Sequence, residues 1–179
     1  MNGQNHIVAI TPLKFLPIKE FEKKQKSFDT NDILALDDLM MAKASAVINS
    51  KNIAKQLKEI GNKVFGEKKY AEAEKYYSKA IELNIGSRPL WTNRAACRNT
   101  MKKFEEAISD CDTALSIVPK CTRTITVKGK ALSGLSRFDE ARECYESLRS
   151  LGENSLAEDL LKKLDDLQEW VTDLPWALE

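Results

Sequence analysis

A small residue returns every 34 positions through the middle of this chain: Gly61, Ala95 and Gly129. Ala73, Ala107 and Ala141 keep the same step, and so do Tyr70, Phe104 and Phe138. Tyr77, Cys111 and Tyr145 form a fourth column, and Leu57, Trp91 and Ile125 a fifth. Columns that agree in both type and spacing mark an array of similar units, each burying its apolar face against the next. Within the first unit, Leu57, Ile60, Gly61 and Val64 recur at helical spacing, GEKK interrupts, and Tyr70, Ala73, Tyr77, Ala80 and Ile81 resume. So short an interruption predicts an antiparallel helix pair. The small columns let the paired helices approach closely, and the aromatic columns fill the rest of the gap.

Composition agrees with an all-α chain: 7 glycines and 5 prolines in 179 residues leave little material for turns. No run of 18 apolar residues is present, and MNGQNHIVAI lacks the basic start, apolar stretch and cleavage site of a secretory signal. A soluble, cytoplasmic protein with no membrane role is expected. Cys97, Cys111, Cys121 and Cys144 show no close spacing and His6 is the single histidine, so no metal site is expected and the thiols read as buried small side chains. The chain has no glycine-rich phosphate loop and no nucleophile with a matching base, so an enzyme and a cofactor are not expected. The absence of an aromatic ladder argues against nucleic acid. Charge is uneven: residues 51–150 carry 20 basic and 13 acidic side chains, and residues 151–179 carry 2 and 8. That is either a basic solenoid beside an acidic cap or a basic groove for an acidic ligand.

Outside the repeats, TNDILALDDLMMAKASAVI suggests an amphipathic N-terminal helix over 29–50, with Ile33, Leu36, Met40 or Met41, Ala44 and Val47 as its apolar side. Residues 1–28, with two prolines among large apolar residues, read as an extended or partly disordered segment with a docking site on this chain or on another. After the third repeat, a capping helix over 155–171 carries Leu156, Leu160, Leu164, Leu167 and Trp170 or Val171 on one face, and 172–179 form a tail in which Trp176 packs back or meets a partner. A monomer is expected.

The 34-residue period, with a small residue at its eighth place, an aromatic at its seventeenth and an alanine at its twentieth, resembles the tetratricopeptide repeat. The repeats would run over 54–87, 88–121 and 122–155, in a domain spanning 51–171, and Pro119 matches the family's terminal proline in the second. The resemblance implies an α-solenoid whose concave side is lined by the first helix of each pair. It also implies a function, that of a non-enzymatic adaptor. Tetratricopeptide co-chaperones that bind the C-terminal peptides of ninety- or seventy-kilodalton heat-shock chaperones use a carboxylate clamp: Lys and Asn in the first repeat, Asn in the second, Lys then Arg in the third. Carried over by position, these are Lys58 and Asn62 in KEIGN, Asn93 in WTNRAA, Arg123 in place of the lysine, and Val127 where the arginine is expected. Lys130, three residues after Val127 on the same face, is the candidate replacement cation; Lys128 points about 100° round the helix. The alternative is a scaffold for complex assembly, as in ciliary dynein assembly, that holds partners without recognising a carboxylate.

Overall fold

The computed structural model describes residues 30–173, with side chains from residue 37. The segment expected over 1–28, the apolar side chains of Ile33 and Leu36, and Trp176 lie outside these. Among the described residues there are seven helices and no strands: α1 (Thr30–Gly66), α2 (Tyr70–Leu83), α3 (Arg88–Thr100), α4 (Phe104–Ile117), α5 (Thr122–Gly134), α6 (Phe138–Arg149) and α7 (Asn154–Thr172). The chain divides after Ala46 into two compact units, and the helix pairs all belong to the second. There, from α2 onward, each helix packs on the next, and α3 also meets α5.

The expected N-terminal helix does not stop near residue 50. It continues as α1 into the first repeat, because neither glycine nor proline occurs between Thr30 and Ile60 to end it. Met40, Met41 and Val47, from its expected apolar side, are exposed.

The turn inside each pair is the same motif three times. Lys68, Lys102 and Ser136 adopt left-handed backbone with φ of 63°, 60° and 58°. The next residue's N–H then reaches back to close the preceding helix: Lys69 to the Val64 carbonyl, Lys103 to Arg98 and Arg137 to Leu132, at 3.2, 2.8 and 3.0 Å. This satisfies carbonyls left open at the helix end and reverses the chain in three residues.

With the chain reversed, the periodic columns meet. Ala73, Ala107 and Ala141 are fully buried, as are the rings of Tyr77 and Tyr145. A Cβ placed on Gly61 would lie 2.8 Å from Tyr77 Cε1, and one on Gly129 would press still closer on Tyr145 Cε1. The second repeat has alanine at this place, Ala95, and there the aromatic is replaced by the smaller Cys111. Close approach is thus matched by volume, pair by pair.

A second set of contacts joins α2, α3 and α4. Arg94 grips Asp110 with two bonds of 2.9 and 2.7 Å and stacks 4.9 Å over Trp91. Arg98 reaches Asp110 at 2.9 Å and Glu74 at 2.8 Å. The buried carboxylate of Asp110 therefore has both arginines as partners, which offsets the cost of taking it out of water.

The last pair is covered by α7, whose buried face is Ala157, Leu160, Leu161 and Leu164. Leu167, expected on that face, is exposed; of the two alternatives at its end Trp170 is exposed and Val171 half-buried, as a repeat of 3.6 residues requires. Of the four thiols, Cys97 and Cys111 are buried and Cys121 and Cys144 half-buried. Burial pushes the Cys97 and Cys111 thiols up to about 12.

Gly129→Ala should cost about 1 to 3 kcal/mol in urea unfolding, since the buried Tyr145 ring has nowhere to move. Gly66→Ala, with nothing within 4 Å of the added methyl, should cost nothing measurable.

Candidate functional site

The helices α1, α3 and α5 are the first members of their pairs, and their side chains converge on one hollow of about 310 Å³. From α1 come Lys58 and Asn62, four residues apart on one face, with Phe65 a turn further. Pro89, Asn93 and Ala96 come from α3, and Arg123 from the first turn of α5. Tyr77 of α2 reaches the hollow from behind.

Its position follows from Gly61. With no Cβ beneath the ring, Tyr77 lies across α1 and its hydroxyl donates to Asn62 Oδ1 at 2.8 Å. Burial, with the nearby Cys97 thiol, raises the Tyr77 hydroxyl from 10.0 to about 12, so it remains a donor at neutral pH. Asn62 Oδ1 also accepts from Asn93 Nδ2 at 3.0 Å, and Asn93 Oδ1 accepts from Arg123 Nη2 at 3.1 Å. A chain of bonds therefore runs Arg123, Asn93, Asn62, Tyr77 through three consecutive repeats. Because two donors hold the Asn62 oxygen, its NH2 group is turned the other way. Asn93 is buried, so this network is what keeps its amide satisfied.

The positive groups are only lightly engaged. Among the described residues Arg123 makes no ion pair, and its one bond to Asn93 leaves most of its five N–H groups over. Lys58 pairs with its neighbour Glu59 at 3.0 Å, and the same carboxylate accepts from Asn62 Nδ2 at 3.4 Å. The Lys58 ammonium, by its hydrogen bond and then its charge, holds the Glu59 carboxyl below the usual carboxylate range. An anion thus already sits on the two α1 donors, and it belongs to an exposed, rotatable side chain. The arrangement suits a carboxylate: two cations and two amide donors in a partly enclosed, mostly polar setting.

Four of the six residues expected from sequence, Lys58, Asn62, Asn93 and Arg123, line this hollow, while Val127 and Lys130 do not. Val127 is half-buried against the core of the second and third repeats, and its carbonyl accepts from Asn99 Nδ2 at 2.8 Å. Lys130 is exposed. Lys128 pairs with Asp112 of α4 at 2.6 Å, on the side facing that helix. Two participants were not anticipated. Tyr77 reads in sequence as packing alone, and Glu59, one and three residues from the two α1 donors, as part of a solvated helix face. Among the described residues no group of three or more His, Cys, Asp or Glu is placed to hold a metal ion, and no helix is long and apolar enough to cross a membrane.

A family model described as tetratricopeptide repeat matches residues 65–84, the end of α1 and all of α2. The Hsp70/Hsp90 co-chaperone cns1 of Schizosaccharomyces pombe is 30% identical over 126 residues, which are 65% of this chain and 35% of that protein. Human tetratricopeptide repeat protein 12 is 36% identical over 99 residues, 55% of this chain and 14% of that protein. The chain thus spans about a third or less of the length of these relatives. The solved first repeat domain of Spaghetti (RPAP3), bound to the HSP90 peptide SRMEEVD, superposes with a TM-score of 0.62 at 34% identity, covering 65% of this chain and 93% of that one.

Tyr77→Phe should lose about 1 kcal/mol of stability at pH 7, the ordinary worth of one hydrogen bond. The raised hydroxyl adds a pH dependence. The unfolded chain releases this proton near 10.0 and the folded chain near 12, so stability present below the first value is lost as pH rises through the second. Urea midpoints of the wild type should fall more steeply across that window than those of Tyr77→Phe.

Proposed function

Because this chain belongs to the tetratricopeptide repeat family, we propose that its groove binds the C-terminal acidic peptide of a heat-shock chaperone. It is then a non-enzymatic, cytoplasmic co-chaperone adaptor. The observation that carries this reading is the convergence of Lys58, Asn62, Asn93 and Arg123, drawn from three repeats, on one hollow. The HSP90 peptide in the similar solved structure ends in aspartate, which offers an α-carboxylate and a side-chain carboxylate. Lys58 and Arg123 supply charge to such a terminus, and the second amide hydrogens of Asn62 and Asn93 supply direction.

Two features set the strength. Val127 contributes no cation, so the clamp closes with four groups, Arg123 adding a planar donor fork where a lysine is usual. Glu59 must also leave Lys58 and Asn62 as the ligand enters, which lowers the net gain. A hydrogen bond to a charged group contributes about 1.5 to 3 kcal/mol, so one lost donor corresponds to about 10- to 100-fold in affinity.

Calorimetric titration with Met-Glu-Glu-Val-Asp as free acid and as C-terminal amide tests the reading. The acid should bind and the amide should not. Lys58→Ala and Asn93→Ala should each weaken the acid about 10-fold or more, and added salt should weaken it further. Glu59→Gln should strengthen it several-fold by removing the internal competitor. No binding of the acid at a few hundred micromolar overturns the clamp and leaves an assembly scaffold.

A further inference from the structure

The polar thread through the groove has a direction. At one end stands Arg123, whose guanidinium donates and never accepts, so the Asn93 atom that meets it at 3.1 Å has to be Oδ1. That turns Asn93 Nδ2 toward Asn62 at 3.0 Å, and the Asn62 atom facing this donor has again to be Oδ1. Tyr77 donates to the same oxygen at 2.8 Å. At the other end Asn62 Nδ2 meets Glu59, whose carboxylate only accepts, at 3.4 Å. Turning Asn93 over would set its NH2 group against Arg123, and turning Asn62 over would set its oxygen against Glu59. The neighbouring link between α3 and α5 joins the hydroxyls of Thr92 and Thr124 at 2.8 Å; either can donate, so that link has no direction.

One of these constraints goes when a ligand enters. An acidic terminus displaces Glu59, and the Asn62 amide is then held by its oxygen alone, between Asn93 and the Tyr77 hydroxyl. Tyr77 stays in place, because its buried ring lies against Gly61. Burial also keeps the proton on its oxygen at neutral pH. We propose that Tyr77 is a positioning residue for recognition: its hydroxyl fixes the Asn62 amide so that the NH2 group, and not the carbonyl, meets the incoming carboxylate. This role rests on the clamp reading. An asparagine free to turn offers an acceptor as readily as a donor, and an acceptor repels a carboxylate. The third repeat supplies the contrast, since Tyr145 lies against Gly129 in the same way but its hydroxyl stands 3.5 Å from Ser133 and touches no groove amide.

Fluorescence anisotropy with labelled Met-Glu-Glu-Val-Asp free acid tests this on wild type, Tyr77→Phe, Asn62→Ala, their double variant and Tyr145→Phe, with circular dichroism to confirm that each is folded. Tyr77→Phe should weaken binding about 3- to 10-fold, the worth of one hydrogen bond. Asn62→Ala should weaken it about 10-fold or more. Adding Tyr77→Phe to Asn62→Ala should change the affinity by less than about twofold, because the hydroxyl acts through that amide. Tyr145→Phe, which also loses a buried phenol, should stay within about twofold of wild type. Losses that multiply in the double variant overturn the positioning role, since the hydroxyl then acts on the ligand or the fold directly. Unchanged affinity in Tyr77→Phe, or an equal loss in Tyr145→Phe, also overturns it, and in all three cases the clamp stands. No binding of the acid to wild type overturns the clamp and this role with it.

Discussion

The groove depends on how closely α1 and α2 approach each other. A glycine at position 61 admits the Tyr77 ring against the α1 backbone, and only at that depth does the phenol reach Asn62. The same approach in the third repeat, Gly129 under Tyr145, delivers its hydroxyl near Ser133 at 3.5 Å instead, because the residue after the glycine is Lys130 rather than an asparagine. In the second repeat the pair is Ala95 and Cys111, and no hydroxyl is available. One packing rule therefore serves three repeats, but in the first alone does it orient a groove side chain.

Charge is partitioned between the two sides of α3. Arg94 and Arg98 are spent on Asp110 and Glu74, where they tie the second repeat to the first. Lys128 is spent on Asp112, and Lys103 on Glu74 at 3.2 Å. The excess of basic side chains over 51–150 is consequently a poor measure of what a ligand would meet. The groove takes its positive character from Lys58 of α1 and Arg123 in the first turn of α5.

Much of this was legible in the chain before its structure. The 34-residue columns located every helix pair and turn, because the small and aromatic positions are set by contacts that repeat identically. Lys58, Asn62, Asn93 and Arg123 are positions that the resemblance to the tetratricopeptide clamp carries over, and the fold brings these four to one hollow. What escaped was set by absence or by neighbours. The unbroken α1 results from a missing helix breaker between two patterns that look separate. Tyr77 belongs to a packing column, so its second role depends on which residue follows the glycine opposite. Val127 lies outside the hollow because Asn99 of α3 bonds its carbonyl while its side chain joins the core, a contact between helices 28 residues apart in sequence.

The bond chain from Tyr77 through Asn62 and Asn93 to Arg123 runs along the stack, with one polar link at each junction between repeats. Stacked repeats are stabilised mainly by nearest neighbours, so terminal units can fray without disturbing the others. This polar thread links three first helices, and its middle residue, Asn93, is mostly buried and bonded on both sides. The groove is therefore complete only when all three repeats are stacked, and anything that occupies it would stabilise the array as a whole in proportion to its affinity. The groove's shape and the stacking of the repeats share one set of amides, so a partly unravelled molecule loses its groove before it loses its helices.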